Sequence, residues 1–250
     1  MKKVIPLIMI ICLVFLFAGC KEQHYDDIEY NSSNLTTEQF LALYQDAYNK
    51  TRDITNLNFD IKYQHENRNQ GDYKEYINNV KISNYQGRPI AVINDSNGET
   101  IYYLNKSMTN DVVSSQSTNT ESLCNTQKQF LIPSLDSSMI VDNIYTKEFE
   151  ETTYYKLNFN IEYVNNQTTI TDKLITNSNE AYPDYIYSYC QEFGINSQGY
   201  IVMMRITYEL QQYENRSVYY WSQQTTDLLD YSGNMTILDD MTKLNAIINS

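Results

Sequence analysis

The sequence predicts an α+β protein in which one amphipathic helix precedes a long antiparallel sheet. Apolar residues recur at helical spacing between residues 37 and 52, and most later segments alternate apolar and polar side chains. Tyrosine, a residue that favours strands, occurs 24 times in 250 residues. A hydrophobic content of 42% is enough for a sizeable core.

The first nineteen residues have the pattern of an export signal. Lys2 and Lys3 precede the apolar run 4–17, which is shorter than the roughly 20 residues that a transmembrane helix needs. The small pair Ala18-Gly19 then stands directly before Cys20. We therefore predict a signal peptide over residues 1–19, with an ordinary cleaved secretory signal as the alternative to a lipoprotein signal.

The segment 17–20, Phe-Ala-Gly-Cys, resembles the lipobox of bacterial lipoproteins, although Phe17 stands where that family usually has leucine. The resemblance implies that the Cys20 thiol carries a diacylglyceryl group and that the mature chain begins there. Two or three acyl chains suffice for stable anchoring. We expect an extracytoplasmic protein held on the outer leaflet of the cell membrane, in a Gram-positive cell, with the membrane as its partner through this anchor.

Residues 20–35 are predicted to form the lipidated cysteine and a flexible tether, because this stretch is polar and lacks an apolar repeat. The folded part is expected over residues 36–250, as a single β-rich domain. Thr36 and Gln39 have the spacing of a capping box at the start of the helix. The helix itself is predicted at about 37–52.

Strands are predicted wherever the alternation is clear. Val202, Met204 and Ile206 begin one apolar face, and a turn with Gly199 joins this strand to the one before it. One or two further short helices are expected, near 124–130 and at 237–248. The expected strands cover residues 57–63, 73–83, 90–94, 100–105, 157–163, 185–193, 202–210 and 218–224.

Two segments match closely. Residues 57–63 read LNFDIKY and residues 157–163 read LNFNIEY, with the whole apolar set retained. The match suggests two structurally similar halves. Coincidence or simple strand convergence is the alternative, because asparagine, isoleucine and tyrosine are common in this chain.

The composition excludes several classes of function. The formal net charge is −13, and cleavage of the signal removes two further lysines, so we expect no nucleic-acid partner. The mature chain keeps two histidines and has no glycine-rich phosphate loop, and we expect no cofactor and no metal site. A non-enzymatic protein is predicted. A glycosidase-type carboxylate pair is the remaining alternative, and solvated surface charge explains its candidates better: Glu148, Glu150, Glu151, Asp239 and Asp240.

Outside the signal and the lipidated cysteine, two thiols remain, Cys124 and Cys190. An extracytoplasmic location permits a disulfide between them, which could stabilise the fold by roughly 3 to 4 kcal/mol. Two buried free thiols are the equal alternative.

The succession of lipidated cysteine, tether, helix and antiparallel strands resembles the half-barrel carrier lipoproteins of the LolA and LppX type over residues 36–250. In that family a curved sheet wraps helices, and the space between them holds a lipid or another apolar ligand. The resemblance implies a ligand cavity lined by Phe159, Ile161, Met204 and Ile206. The alternative for these four residues is an ordinary filled core.

Tyrosine-rich strands suggest a second function. Tyr185, Tyr187 and Tyr189 are expected on one strand face, and Tyr219, Tyr220 and Trp221 lie on another strand. Such rings could bind a protein or a glycan, whereas cross-strand pairing on an exposed sheet is the structural alternative. The identity of any protein partner is left open by the sequence.

Overall fold

The computed structural model describes residues 25–116, 119–135, 138, 140–166, 184–212, 217–233, 235–238 and 241–250. Within these residues, twelve strands form one antiparallel sheet that does not close on itself, in the order β1-β8-β9-β10-β11-β12-β2-β3-β4-β5-β6-β7. The predicted α+β class is therefore confirmed. The export signal and Cys20 lie outside the described residues.

The first seven strands are β1 (Asn31–Ser32), β2 (Leu57–Asn67), β3 (Asp72–Tyr85), β4 (Arg88–Asp95), β5 (Gly98–Tyr103), β6 (Lys106–Thr109) and β7 (Val112–Ser115). The remaining strands are β8 (Ile140–Phe149), β9 (Thr152–Phe159), β10 (Asp184–Asn196), β11 (Ile201–Gln212) and β12 (Val218–Asp230). The helices described are α1 (Thr37–Arg52), α2 (Thr120–Lys128), α3 (Ile161–Asn166) and α4 (Met241–Asn249). None of the described helices is long and apolar enough to cross a membrane.

Helix α1 begins as the sequence predicts. The Gln39 amide donates to Thr36 Oγ1 (3.3 Å), and the Thr36 amide donates to Gln39 Oε1 (2.9 Å). This reciprocal pair satisfies two N–H groups that the helix start leaves without partners. The apolar stripe of α1 then buries Phe40, Tyr44 and Ala47 against the sheet.

Helices α1 and α2 pack on the same face of the sheet, here called the inner face. Phe193 lies beneath α1 and is paired with Met204 on β11. Met204 is paired in turn with Thr226 on β12, and Thr226 with Ile61 on β2. Directly opposed residues share a face, and Ile61 belongs to the apolar cluster that includes Cys124 of α2. Helix α4 covers Ile90 and Val92, which alternate with inner-face Ala91, so α4 packs on the outer face.

The second of the two matching segments is only half a strand. Residues 57–63 lie within β2, but the strand that includes Leu157 ends at Phe159, and α3 begins at Ile161. The prediction of a strand through residue 163 is wrong. Asn160 Oδ1 accepts a hydrogen bond from the Tyr163 amide (3.1 Å), so its side chain stabilises the first turn of the helix instead.

Residues 25–35 belong to the fold and are not a free tether. Asn31 and Ser32 pair with β8, and the Ser33 amide donates to the Ile144 carbonyl (2.8 Å). Tyr25 packs edge-on against Tyr154, with ring centroids 4.6 Å apart. These contacts correct the expected flexible tether over residues 20–35, because its described part, 25–35, is attached to the sheet. A segment rich in polar residues can still supply aromatic rings and backbone groups to a sheet.

Candidate functional site

The four residues expected to line a cavity meet around one apolar cluster beneath α1. Phe159 and Met204 are 5% and 1% exposed, so they pack as core. Ile161 and Ile206 are half-buried and pack against the same cluster. Ile161 reaches it from α3 and not from a strand. The structure thus brings the four together, with two filling the core and two at its margin.

A cleft opens above this cluster, between α1 and the segment after α2. Its volume is about 400 Å³, within the range of roughly 300–1,000 Å³ typical of small-molecule sites. The Tyr44 ring packs against Phe193 at 4.9 Å, and its hydroxyl donates to the Pro133 carbonyl. Burial raises the pKa of this phenol, so it stays neutral. The cleft is lined by Leu41, Tyr44, Gln45, Tyr48, Ser134 and Leu135.

Sequence reasoning missed the walls of this cleft. The helical repeat predicts the stripe of α1 that faces the sheet, but Leu41 and Gln45 lie on the flank of that stripe. Ser134 and Leu135 follow a proline in a segment without periodicity. Their position depends on the packing of Leu131 and Ile132 into the core, which no local pattern indicates.

One row of the inner face runs from the covered side of the sheet to a more open part. Leu157, Gln191, Ile206, Gln224 and Tyr63 lie opposite one another in succession on β9, β10, β11, β12 and β2. Leu157 and Gln191 are buried, whereas the other three are half-buried. We call these five residues the inner-face row.

Two buried polar atoms near this row have no hydrogen-bond partner among the described residues, Gln191 Oε1 and Thr226 Oγ1. The Gln191 amide nitrogen donates to the Tyr189 hydroxyl (2.7 Å), and its carbonyl oxygen points away from that hydroxyl. Thr226 is fully buried beside Met204 on the neighbouring strand. A buried polar atom without a partner costs free energy, so these two atoms require an explanation.

A stack of rings stands next to the inner-face row, toward the β2–β3 turn. Tyr63 and Tyr76 are nearly parallel, with centroids 4.7 Å apart and an interplanar angle of 19°. His65 lies 5.7 Å from Tyr76 and 6.0 Å from Tyr220. The rings therefore face one another across the strands and turn their edges outward. This arrangement stabilises the sheet by cross-strand pairing and leaves few ring faces for a ligand.

His65 is a neutral, structural imidazole in this stack. Its Nδ1 lies 2.8 Å from Ser222 Oγ and 3.0 Å from the Tyr220 hydroxyl, and both groups can donate to it. Burial lowers the pKa of His65, and the Lys74 ammonium lowers it further. Ser222 is only 2% exposed, so a substrate carbonyl could not reach its hydroxyl. The Ser–His contact thus differs from that of a hydrolase, which needs an accessible nucleophile.

The tyrosines expected on one strand face are divided by a bulge. The register of β10 shifts between Ile186 and Ser188, so Tyr189 turns to the inner face and is 7% exposed, while Tyr185 and Tyr187 are exposed. The prediction of three rings on one face is wrong for this reason. Tyr219 and Tyr220 are buried, not displayed.

The outer face holds a cluster of buried charges around the N-terminal segment. Lys147 is 6% exposed, lies 3.3 Å from the centre of the Tyr25 ring and donates to the Tyr25 carbonyl (3.0 Å). Glu192 accepts from the Tyr25 hydroxyl (3.0 Å) and pairs with Arg205 (3.3 Å). Burial lowers the pKa of Lys147, and the Glu192 carboxylate opposes that shift. These contacts fix residues 25–30 on the sheet.

The two thiols are both free in the structure. Cys124 lies on α2 over the inner face, whereas Cys190 alternates with inner-face Gln191 and so points to the outer face. The disulfide alternative would require the two Cα atoms to approach within about 7 Å across the sheet. Burial raises the pKa of Cys124 to about 11, so this thiol stays protonated.

Three of the carboxylates considered for a glycosidase lie at one exposed turn. Glu148, Glu150 and Glu151 are exposed at the β8–β9 turn, and Glu148 accepts from Thr153 Oγ1 (2.7 Å). Asp239 and Asp240 lie outside the described residues. Among the residues that the structure describes, no group of three or more histidines, cysteines or carboxylates could hold a metal ion.

Comparison with known proteins leaves the family unassigned. No family model matches the sequence, and no curated protein matches it. A LolA superfamily protein from Nitrosomonas europaea is 8% identical over 76% of this chain and 93% of that one, with a TM-score of 0.25. A domain from Vibrio parahaemolyticus, described as an outer membrane lipoprotein-sorting protein, is 8% identical over 85% of this chain and 99% of that one, with a TM-score of 0.24. Scores this low do not establish a shared fold.

Proposed function

We propose that this chain is a surface-anchored, non-enzymatic lipoprotein that binds or carries a lipid or another apolar ligand. The cleft of about 400 Å³ above the apolar cluster under α1 carries the proposal. Half-buried Leu41, Tyr48 and Leu135 line this cleft and also pack against the cluster. An acyl chain in the cleft would bury methylenes against Leu41, Tyr48 and Leu135, at about 0.8 kcal/mol per buried methylene. In this proposal the open sheet is curved around its helices as a half-barrel.

The ligand proposal is tested with residues 21–250, purified without detergent and examined by native mass spectrometry and solvent extraction. Stoichiometric lipid would support it. Leu41→Trp and Leu135→Trp are designed to fill the cleft and should reduce lipid uptake at least severalfold, since overpacking excludes a ligand. Leu229→Trp is the matched control, because Leu229 is 54% exposed on β12. A clean apo mass that also fails to take up added lipid would contradict the carrier function.

The anchor proposal concerns Cys20 and the Gram-positive outer leaflet. Cys20→Ser should release the protein into the medium or leave the precursor uncleaved, because serine offers no thiol for the diacylglyceryl group. Metabolic labelling with a radioactive fatty acid measures this directly. Acyl labelling that persists in Cys20→Ser would refute lipidation at this residue.

A protein- or glycan-interaction module is the second candidate. The observation in its favour is the group of exposed rings Tyr73, Tyr76, Tyr185 and Tyr187. They lie on both faces of the sheet and at the β10 bulge, so they do not form one continuous platform. If the apo protein refuses lipid and yet binds glycan or protein through these rings, the module function replaces the carrier function.

A further inference from the structure

Two buried polar atoms on the inner face have no hydrogen-bond partner among the described residues. They lie where the buried residues of this face give way to half-buried ones. Gln191 Oε1 lies in the inner-face row between buried Leu157 and half-buried Ile206. Thr226 Oγ1 lies one strand beyond β11, opposite Met204. Strands are about 4.8 Å apart, so Met204 and Ile206 occupy the strand between the two polar groups.

The Gln191 amide directs its nitrogen toward the neighbouring Tyr189 hydroxyl. Its nitrogen donates to the Tyr189 hydroxyl at 2.7 Å, so the carbonyl oxygen is left as an acceptor without a donor. Protein interiors normally satisfy such groups, and an exception indicates a water, an ion or a ligand that completes the site. Gln191 is 7% exposed, so it is removed from bulk solvent.

The side chains that neighbour Gln191 on the inner face of the sheet are uncharged. Leu157, Ile206, Gln224 and Tyr63 complete the row, and Phe193 and Tyr189 flank Gln191 on its own strand. Burial lowers the pKa of His65, the described imidazole on this face. A charged headgroup would find no counterion here and would lose its hydration. A neutral hydroxyl or amide N–H would instead supply the missing donor.

We propose that Gln191, supported by Thr226, binds the polar end of an uncharged amphiphile that donates a hydrogen bond, with the apolar part of that molecule over half-buried Ile206. The inference rests on the proposed carrier function and names its ligand class. Entry occurs along the inner-face row, from half-buried Tyr63 and Gln224 toward Gln191. Monoacylglycerol has the required chemistry, since its glycerol carries two hydroxyl donors and no charge.

The test compares two lipids with the same acyl chain. Monooleoylglycerol and methyl oleate both have the oleoyl ester, but only the first has hydroxyl donors. Each displaces the uncharged fluorescent probe N-phenyl-1-naphthylamine from the mature protein. The expected result is displacement by monooleoylglycerol at about a tenfold lower concentration, the effect of one buried hydrogen bond.

Gln191→Met keeps the length of the side chain and removes its acceptor, so the preference should disappear while methyl oleate binds as before. Gln223→Met is the matched control on the same sheet. Gln223 points to the outer face and hydrogen-bonds to Gln64, so this variant should keep the full preference. If Gln191→Met does not fold, Thr226→Val removes the second polar group with no change in shape and should reduce the preference severalfold.

The outcomes separate the inference from the function beneath it. Equal affinity of the wild-type protein for both lipids would overturn the inference and leave the carrier function standing, because a buried water would then satisfy the amide. A preference that survives both Gln191→Met and Thr226→Val would also overturn it. Binding of neither lipid by the wild-type protein would overturn the carrier function itself.

Discussion

Gln191 and Glu192 are adjacent in β10, equally buried and directed to opposite faces of the sheet. On the outer face, Glu192 accepts from the Tyr25 hydroxyl and pairs with Arg205, at 3.0 and 3.3 Å. On the inner face, Gln191 donates to Tyr189 but its carbonyl oxygen has no partner among the described residues. The buried polar group on the outer face thus has hydrogen-bond partners, whereas one atom of the buried polar group on the inner face has none among the described residues.

This difference suits Glu192 to a structural role and Gln191 to the ligand-binding role proposed above. On the outer face, the N-terminal segment supplies hydrogen-bond partners to Lys147 and Glu192. On the inner face, Gln191 Oε1 and Thr226 Oγ1 have no partner among the described residues, and Gln191 lies opposite half-buried Ile206. An unsatisfied acceptor costs stability until a ligand supplies the donor.

Glu192→Ala should give the largest loss of stability. It removes the carboxylate that pairs with the half-buried Arg205 guanidinium and accepts from the Tyr25 hydroxyl, and we expect the free energy of unfolding to fall by about 3 kcal/mol. Urea denaturation at neutral pH measures this. Asp72→Ala is the control, because the Asp72–Lys74 pair is exposed and its loss should cost less than about 1 kcal/mol. Similar losses in the two variants would contradict a structural role for Glu192.

Gly194→Ala should be the next most damaging change. A Cβ at Gly194 would lie 2.8 Å from Cε1 of Tyr154, whose ring packs against Tyr25. The ring must move, at a cost of about 2 kcal/mol, and the N-terminal segment should become more sensitive to protease. Tyr154→Leu combined with Gly194→Ala tests the cause. If the double variant loses as much as the two single losses together, the clash is not the reason.

Thr51→Val and Thr226→Val apply one substitution to two buried threonines. Thr51 Oγ1 accepts from the Ile201 amide (2.9 Å), and its loss leaves a buried N–H unpaired. We expect about 1 to 2 kcal/mol of destabilisation. Thr226→Val should be neutral or slightly stabilising in the apo protein, since its hydroxyl has no partner to lose. Chemical denaturation of both variants decides this, and equal destabilisation would show that Thr226 has a partner.

The pH dependence at His65 should be the smallest effect. Its pKa is lowered below the usual 6.5 by burial, so the unfolded chain binds a proton that the folded protein does not. Stability from this group is therefore present above pH 6.5 and is lost as the pH falls through the folded-state pKa. His65→Gln should flatten the stability profile between pH 7 and pH 5 relative to the wild-type protein. An unchanged slope would mean that His65 titrates normally.

The sequence predicts those elements whose signals are local. The capping box at Thr36, the Gly199 turn and the strand pairs around them are confirmed, because they depend on a few adjacent residues. The strands β6, β7 and β8 were not predicted, since mixed polar segments become strands there only by pairing with their neighbours. The bulge at Tyr187 and the cleft walls at Ser134 and Leu135 likewise arise from tertiary packing.

The contact of Tyr25 with the sheet limits how far the domain can move from its proposed anchor. Five residue steps separate Cys20 from Tyr25, and an extended chain covers about 3.5 Å per step, so the maximum separation is roughly 18 Å. A tether that ended at residue 35 would allow about three times that distance. The accessible volume grows with the cube of the radius, so the docked segment raises the local concentration of the domain at its own membrane by more than about tenfold. Exchange of an apolar ligand with that membrane would be favoured over exchange with a distant acceptor.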